Sequence, residues 1–253
     1  MMNDLQGRRA VITGGGTGIG LACAQRLAQM GVSSVLMGRN LERLQEAAKE
    51  IEGATAIQCD VTDAASVTQA FEQASQDGPI DILVNNAGIA GASAFHKTSM
   101  DDWKHIQAVN VEGLVRCTQA VARDMSKSDY ARIVNIASIA GIRGGAYITP
   151  YVASKHAVVG LTKSLSLEYA YSNMTVNAVC PGYVQTAIVD NAIANIMEKT
   201  GRSREEAIAE LTKNNPQGRL IHVDEIAEAV AWLCSPLSRS VSGQSITVSG
   251  GAI

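Results

Sequence analysis

Tyr151 and Lys155 stand four residues apart in Tyr151-Val152-Ala153-Ser154-Lys155. On a helix that spacing puts both side chains on one face, one turn apart. The pairing has a chemical use. A phenol with a pKa near ~10 is a poor base at neutral pH. A neighbouring ammonium favours the phenolate and draws that pKa towards the working range. Alone, the pair also fits a helix start with an aromatic residue and a snorkelling lysine. The elements around it decide between the two readings.

Those elements alternate. Apolar strands are expected at Arg9 to Thr13, Ser33 to Met37, Ala54 to Cys59, Ile80 to Val84, Arg132 to Ala137, Thr175 to Cys180 and Ser245 to Val248. Helical periodicity fills the gaps. Ile19, Cys23, Leu27 and Met30 share one face before Gly31. Asn40 and Thr62 or Asp63 are placed as helix caps. A long helix with Trp103, Ile106, Val109, Leu114 and Val121 on its apolar positions follows Thr98 to Asp102. Asn110 lies inside it, where a short amide is disfavoured. The helix from Tyr151 repeats its face at Lys155, Val158, Thr162, Leu165 and Tyr169. Alternating strands and helices imply an α/β fold: a doubly wound, mostly parallel sheet covered on both faces. Ligands of such sheets bind beyond the C-terminal strand ends. Tyr151 follows one such end.

The first strand runs into Thr13-Gly14-Gly15-Gly16-Thr17-Gly18-Ile19-Gly20 and then a helix. Glycines there let the backbone approach a pyrophosphate, and the helix N-terminus offers free N–H groups and a positive dipole. This is the first half of a dinucleotide-binding unit. After the second strand, where an NAD-binding chain carries an acid for the ribose 2′-hydroxyl, this chain has Gly38 and Arg39. A guanidinium binds a 2′-phosphate, so NADP(H) is expected over NAD(H). Asp60 ends the third strand, within reach of an adenine amino group.

The bulk composition agrees. The chain has 253 residues, 46 % hydrophobic and 18 % charged, which suits one globular domain over 1–253. The net charge of -3 argues against nucleic-acid or anionic-membrane partners. No apolar run is long enough to span a bilayer. Met1 to Arg9 lacks the apolar core of a signal peptide, so a cytoplasmic protein is expected. The scattered cysteines (Cys23, Cys59, Cys117, Cys180, Cys234) read as buried free thiols, and neither they nor the histidines have metal-ligand spacing.

Taken together, Thr13-Gly14-x-x-x-Gly18-Ile19-Gly20, Asn85-Asn86-Ala87-Gly88, Asn110, Ser138, Tyr151-x-x-x-Lys155 and Pro181-Gly182-x-x-x-Thr186 closely resemble the short-chain dehydrogenase/reductase family. The match covers the chain from about residue 8 onwards. The resemblance implies a Rossmann-type domain with seven strands in the order 3-2-1-4-5-6-7. It also implies roles. Tyr151 would be the general acid/base, and Lys155 would lower its pKa and bind the nicotinamide ribose. Ser138 would hold the substrate oxygen, and Asn110 a water that links Lys155 to solvent. Gly14, Thr17, Gly18 and Ile19 would line the pyrophosphate. Asp60 and Val61 would hold adenine, and Asn86, Ala87 and Gly88 the adenosine ribose region. Pro181, Gly182, Val184 and Thr186 would flank the nicotinamide, the last two at its carboxamide. No metal is needed. A homotetramer is the family's usual assembly.

The segment 186–216 is expected to be a small helical lid. Ile188, Ala192 and Ile196, with Val189, Ile193 and Met197 beside them, give it a broad apolar face. Lys199, Arg202, Arg204, Lys213 and Arg219 could meet phosphates at its rim. The pattern is similar to 3-oxoacyl-thioester reductases and 3-hydroxyacid dehydrogenases of the family. A small or cyclic secondary alcohol, or a free 3-hydroxy acid, is the alternative substrate. A non-catalytic regulator would have lost Tyr151, Lys155 or Ser138. A nucleotide-sugar epimerase would need a larger insertion before the C-terminus.

Overall fold

The computed structural model describes residues 5–253; Met1 to Asp4, part of the segment read above for a signal peptide, lie outside them. Seven strands form one sheet: β1 (Arg9–Thr13), β2 (Ser33–Gly38), β3 (Ala54–Gln58), β4 (Ile82–Asn85), β5 (Ala131–Ile136), β6 (Met174–Pro181) and β7 (Ser245–Val248). Their order is β3-β2-β1-β4-β5-β6-β7, and every neighbouring pair is parallel. The expected order and strand positions agree with this to within one or two residues.

Helices are α1 (Gly18–Ala28), α2 (Leu41–Lys49), α3 (Ala64–Ser75), α4 (Met100–Gln107), α5 (Gly113–Met125), α6 (Thr149–Glu168), α7 (Ala187–Thr200), α8 (Arg204–Thr212) and α9 (Val223–Cys234). Successive strand residues point to opposite faces. Ala10, Ile12 and Leu36 therefore pack with Cys23 and Leu27 of α1 and Ile226 and Val230 of α9. Val11, Val35 and Leu83 pack on the other face with Val67 and Phe71 of α3 and Cys117 and Val121 of α5. All five cysteines are buried and free. Asn40 caps α2 by accepting from Arg43 N at 3.0 Å, and Asp63 caps α3 by accepting from Ala65 N at 2.9 Å.

Two elements depart from expectation. The long helix after Ser99 is interrupted: Ala108–Glu112 forms a π-helical turn between α4 and α5, a distortion frequently found at functional sites. Helix α6 begins at Thr149, two residues before Tyr151, with Pro150 in its first turn, where a missing N–H costs nothing.

Helices α7 and α8 pack on each other. Val189 and Ile193 are buried against Ala207, with Ile196, Ile208, Leu211 and Leu220 at the margin. That consumes half of the broad apolar face. Ile188 and Met197 remain 46 % and 37 % exposed. Four of the five cations are taken by acids: Arg202 by Glu210 at 3.1 Å, Arg204 by Asp190 at 2.7 Å, Lys213 also by Glu210, and Arg219 by Glu225 at 2.6 Å. Such exposed pairs are screened by solvent and contribute little, so an incoming phosphate can still compete for them.

Candidate active site at the C-terminal strand ends

The glycine turn leaves β1 through Gly14 at φ 64 and enters α1 through Gly18 at φ 54. Both angles lie in the left-handed region that favours glycine. Thr17 is the N-cap, yet its side chain caps no N–H. The first turn of α1 thus presents free donors and the positive end of the dipole, which suits a pyrophosphate. The turn is braced from β4. Asn86 Nδ2 donates to Thr13 O at 3.0 Å and to Gly14 O at 3.1 Å. Thr13 Oγ1 accepts from Asn86 N and Ala87 N, both at 3.0 Å. Thr13 was not singled out in the sequence, although it opens the motif.

Gly38 and Arg39 sit at the end of β2. Arg39 is exposed, and its main-chain oxygen accepts from Gln58 Nε2 at 2.8 Å, which ties the loop to β3. Asp60 Oδ1 accepts from Thr62 N at 2.9 Å and Thr62 Oγ1 at 2.7 Å. Those bonds hold its carboxyl below the usual range, with the Arg39 charge adding to the effect. Val61 is buried beside Gly113, where an added Cβ would lie 2.7 Å from Val61 Cγ2.

Asn110 sits in the π turn and is 1 % exposed. Its Oδ1 accepts from Ile89 N at 2.8 Å, and its Nδ2 donates to Ile89 O at 2.9 Å and Ser154 Oγ at 3.0 Å. Ser154 Oγ in turn donates to Tyr151 O at 2.7 Å. The amide is thereby used for structure. Gly88 lies above it: a Cβ there would come 3.4 Å from Asn110 Oδ1 and 3.6 Å from Lys155 Nζ, so the glycine keeps the approach to Lys155 open.

Lys155 is buried, and its Nζ donates to Ile136 O at 2.8 Å. The Nζ stands 5.7 Å from the centroid of the Tyr151 ring. Burial pulls the ammonium down to about 8, still mostly charged at neutral pH. Burial pushes the Tyr151 phenol up, and the Ser138 hydroxyl acts in the opposite direction. Desolvation disfavours the charged phenolate. Ser138 follows β5 with extended backbone, and its Oγ accepts from Ala140 N at 3.1 Å. The turn after it presses on α6: a Cβ on Gly141 would lie 2.6 Å from Lys155 O. That close approach holds Ser138 beside Tyr151 and Lys155.

Pro181 ends β6, and Gly182 N donates to Val248 O at 2.9 Å. Val184 is buried and bridges to Ile221. Thr186 starts α7, with Oγ1 donating to Val184 O at 3.2 Å. A Cβ on Gly18 would meet Thr186 Cγ2 at 3.3 Å, so the segment after β6 lies against the glycine turn. The fold thus gathers the sequence-expected residues from β1, β2, β3, β4, the π turn, β5, α6 and β6 along one edge. The glycine turn, its free helix N-terminus and the open approach to Lys155 fit a nicotinamide dinucleotide.

Residues 8–197 match the family model described as short chain dehydrogenase. The chain belongs to the short-chain dehydrogenase family. It is an oxidoreductase that exchanges hydride between a nicotinamide cofactor and a carbonyl or alcohol carbon. The chain is 37 % identical over 254 residues to gluconate 5-dehydrogenase of Gluconobacter oxydans, covering 98 % of this chain and 95 % of that protein. It is 36 % identical over 254 residues to the 3-oxoacyl-acyl-carrier-protein reductase of Aquifex aeolicus, covering 98 % of each. A crystal structure of a variant actinorhodin polyketide ketoreductase with NADPH superposes with a TM-score of 0.93 at 36 % identity, covering 100 % of this chain and 99 % of that one. Within this short-chain dehydrogenase, Ile136 and Ser154 are contributors to which the sequence assigns no role, and Thr13 enters there only as the first residue of the glycine motif. Ile136 acts through a backbone carbonyl, which leaves no side-chain signal.

Proposed function

We propose that this short-chain dehydrogenase reduces a 3-oxoacyl thioester with NADPH, or oxidises the matching 3-hydroxyacyl compound. The observation that carries the reading is the convergence of Ser138, Tyr151 and Lys155 beside a glycine turn followed by Arg39 in place of an acid. The relatives named as 3-oxoacyl and polyketide reductases support the substrate class. The nicotinamide supplies the hydride chemistry when bound. The protein's residues do the rest. Gly14, Thr17, Gly18 and Ile19 hold the pyrophosphate, Arg39 the 2′-phosphate, Asp60 and Val61 the adenine, and Asn86, Ala87 and Gly88 the adjoining ribose. Pro181, Gly182, Val184 and Thr186 wall the nicotinamide. Ser138 and Tyr151 hydroxyls hold the substrate oxygen, and Tyr151 delivers or accepts its proton. A phenol raised by burial is protonated and ready to donate in the reducing direction. Lys155 holds the nicotinamide ribose. Asn110 holds the water that links Lys155 to solvent, and its side-chain bonds to Ile89 and Ser154 keep the π turn in place.

Residues 1–253 form one domain in this reading, and 186–216 is its lid. The exposed Ile188 and Met197 face incoming acyl chains, while Val189 and Ile193 pack α7 on α8 within the lid. A gluconate 5-dehydrogenase among the relatives favours a second reading, a free hydroxy acid.

A steady-state panel with both cofactors separates them. Acetoacetyl-CoA should be turned over with kcat/KM at least ~10-fold above free acetoacetate and cyclohexanone, because binding energy from the thioester arm reaches the transition state. Equal or lower efficiency on the thioester refutes that substrate class. NADPH should be preferred. A charge-assisted contact contributes about 1.5–3 kcal/mol, so Arg39→Ala should raise the KM for NADPH roughly 10- to 100-fold. Adding Gly38→Asp should reverse the preference. Better use of NADH by the wild type would show Arg39 to be a solvated loop residue.

Assembly belongs to the same proposal: a cytoplasmic homotetramer. Among the described residues no helix is long and apolar enough to cross a membrane. Leu167 and Tyr171 near the end of α6, and Trp232 and Leu237 near the end of α9, are exposed. Burying two such patches needs two self-contacts. Sedimentation should give four chains per particle, and a monomer would remove the assembly from the proposal.

A further inference from the structure

Behind the site, a chain of buried amides and hydroxyls crosses the sheet. Asn85 Nδ2 donates to Thr118 Oγ1 at 3.0 Å and to Asn135 Oδ1 at 2.9 Å. Asn135 Nδ2 donates to Thr162 Oγ1 at 2.9 Å, and Thr162 Oγ1 donates to Val158 O at 2.8 Å. The chain links α5, β4, β5 and α6. Every member is buried, Asn135 and Thr162 completely. The bond directions are mutually consistent, with Asn85 Oδ1 left without a partner among the described residues. Asn135 must offer Oδ1 to Asn85, so its Nδ2 faces Thr162. Thr162 spends its proton on Val158, so its lone pair faces Asn135.

We propose that Asn135 and Thr162 are positioning residues for the reaction: their hydrogen bond sets the depth and rotation of α6 against β5, and so places Lys155 on the Ile136 carbonyl. The inference rests on the reading of Lys155 as the lysine that holds the nicotinamide ribose. Strand β5 carries Ile136 and leads into Ser138, whereas α6 carries Tyr151 and Lys155. The groups that must cooperate therefore ride on two separate elements. Between those elements Ala137, Val158, Val159 and Cys180 pack as an apolar cluster. Apolar contacts are non-directional and tolerate small slips. A hydrogen bond between two dry groups does not, because a slip strands a buried donor. Thr162 lies seven residues beyond Lys155, two turns down the same face. Asn135 is the residue before Ile136. The two polar ties, Asn135–Thr162 and Lys155–Ile136, thus pin one helix face to adjacent strand residues. The Asn110–Ser154 bond fastens the first turns of α6 to the π turn, and the Gly141 contact holds it to the turn after β5; the buried pair ties α6 to β5 itself.

Thr162→Val keeps the shape of the side chain and removes the hydroxyl, and Thr162→Ser keeps the hydroxyl. Three readings are taken on each: the dissociation constant for NADPH by nucleotide fluorescence, kcat against pH, and a crystal structure. For Thr162→Val the expected result is ~10-fold weaker NADPH binding and ~10-fold lower kcat, the scale of a misplacement below 1 Å. The pH limb of kcat should shift, and the Lys155 Nζ to Ile136 O contact should open past ~3.5 Å. Thr162→Ser should restore all of these. Wild-type NADPH affinity, an unmoved pH limb and an intact Lys155–Ile136 contact in Thr162→Val, with only thermal stability lost, would overturn the proposal. If Thr162→Val does not fold, Asn135→Leu combined with Thr162→Val removes this donor and acceptor together, leaves Asn85 Nδ2 its bond to Thr118, and the same readings decide. Wild-type protein that neither binds nor uses a nicotinamide nucleotide would overturn the functional reading instead, and the crystallographic contact would still judge the positioning.

Discussion

Tyr151→Phe is expected to lower kcat by ~10²–10⁴ or more, the usual loss on removing one member of a catalytic set, while the protein folds and binds cofactor as before. Only one hydroxyl is lost. The ring that packs near Lys155 stays, and Lys155 keeps its bond to Ile136 O, since that bond does not involve Tyr151. NADPH binding should therefore change less than about threefold, well under the energy of one charged hydrogen bond. The pH profile of the wild type tests the same assignment. With the phenol raised by burial, carbonyl reduction should be steady through neutral pH and fall only as the phenol ionises in alkali. Alcohol oxidation should rise over that same range, because it needs the phenolate. Turnover by Tyr151→Phe above about a tenth of wild type would remove Tyr151 from the acid/base role. Lys155→Ala differs in kind: it should lose turnover and weaken cofactor binding together.

Gly20→Ala is expected to have the second-largest effect, and on a different step. An added Cβ would stand 2.4 Å from Gly14 O and 2.5 Å from Asn86 Nδ2. Those two atoms form the 3.1 Å hydrogen bond that braces the glycine turn. Gly14 O is backbone, and Asn86 Nδ2 is held by its bonds to Thr13 O and Gly14 O, so backbone has to move. Overpacking of this kind costs ~1–3 kcal/mol, or about 2–4 °C of melting temperature per kcal/mol in a chain of this size. Moving the turn also misaligns the N–H groups offered to a pyrophosphate, so NADPH affinity should fall ~100-fold, the loss that a misplacement of about 1 Å can cause. Gly160→Ala is the control. Nothing lies within 4 Å of its added Cβ, it sits inside α6, and the substitution should stabilise by ~0.5–1 kcal/mol. Equal NADPH affinity in Gly20→Ala and wild type would mean that the turn does not hold the cofactor.

The sequence by itself determined the strand and helix alternation, the glycine turn after β1, the Tyr151–Lys155 face and the strand-end positions of Asp60, Ser138 and Pro181-Gly182. These are local patterns: periodicity, turn chemistry and spacing are written in neighbouring residues. Tertiary structure decided what depends on distant partners. The π turn at 108–112 divides a helix that reads as continuous, and Asn110 is held there by Ile89, twenty-one residues away. Burial, which no spacing records, raises the Tyr151 phenol although a lysine stands near it. The apolar face of α7 looks uniform as a pattern, yet α8 covers only part of it. Arg202, Arg204, Lys213 and Arg219 read as free cations until Glu210, Asp190 and Glu225 arrive beside them. Ile136 serves through its carbonyl, which every residue possesses. Asn135 and Thr162 look like two ordinary polar residues until β5 and α6 meet. In each case the deciding energy is desolvation or a directional bond between segments far apart in the chain, and only the packed fold sets both.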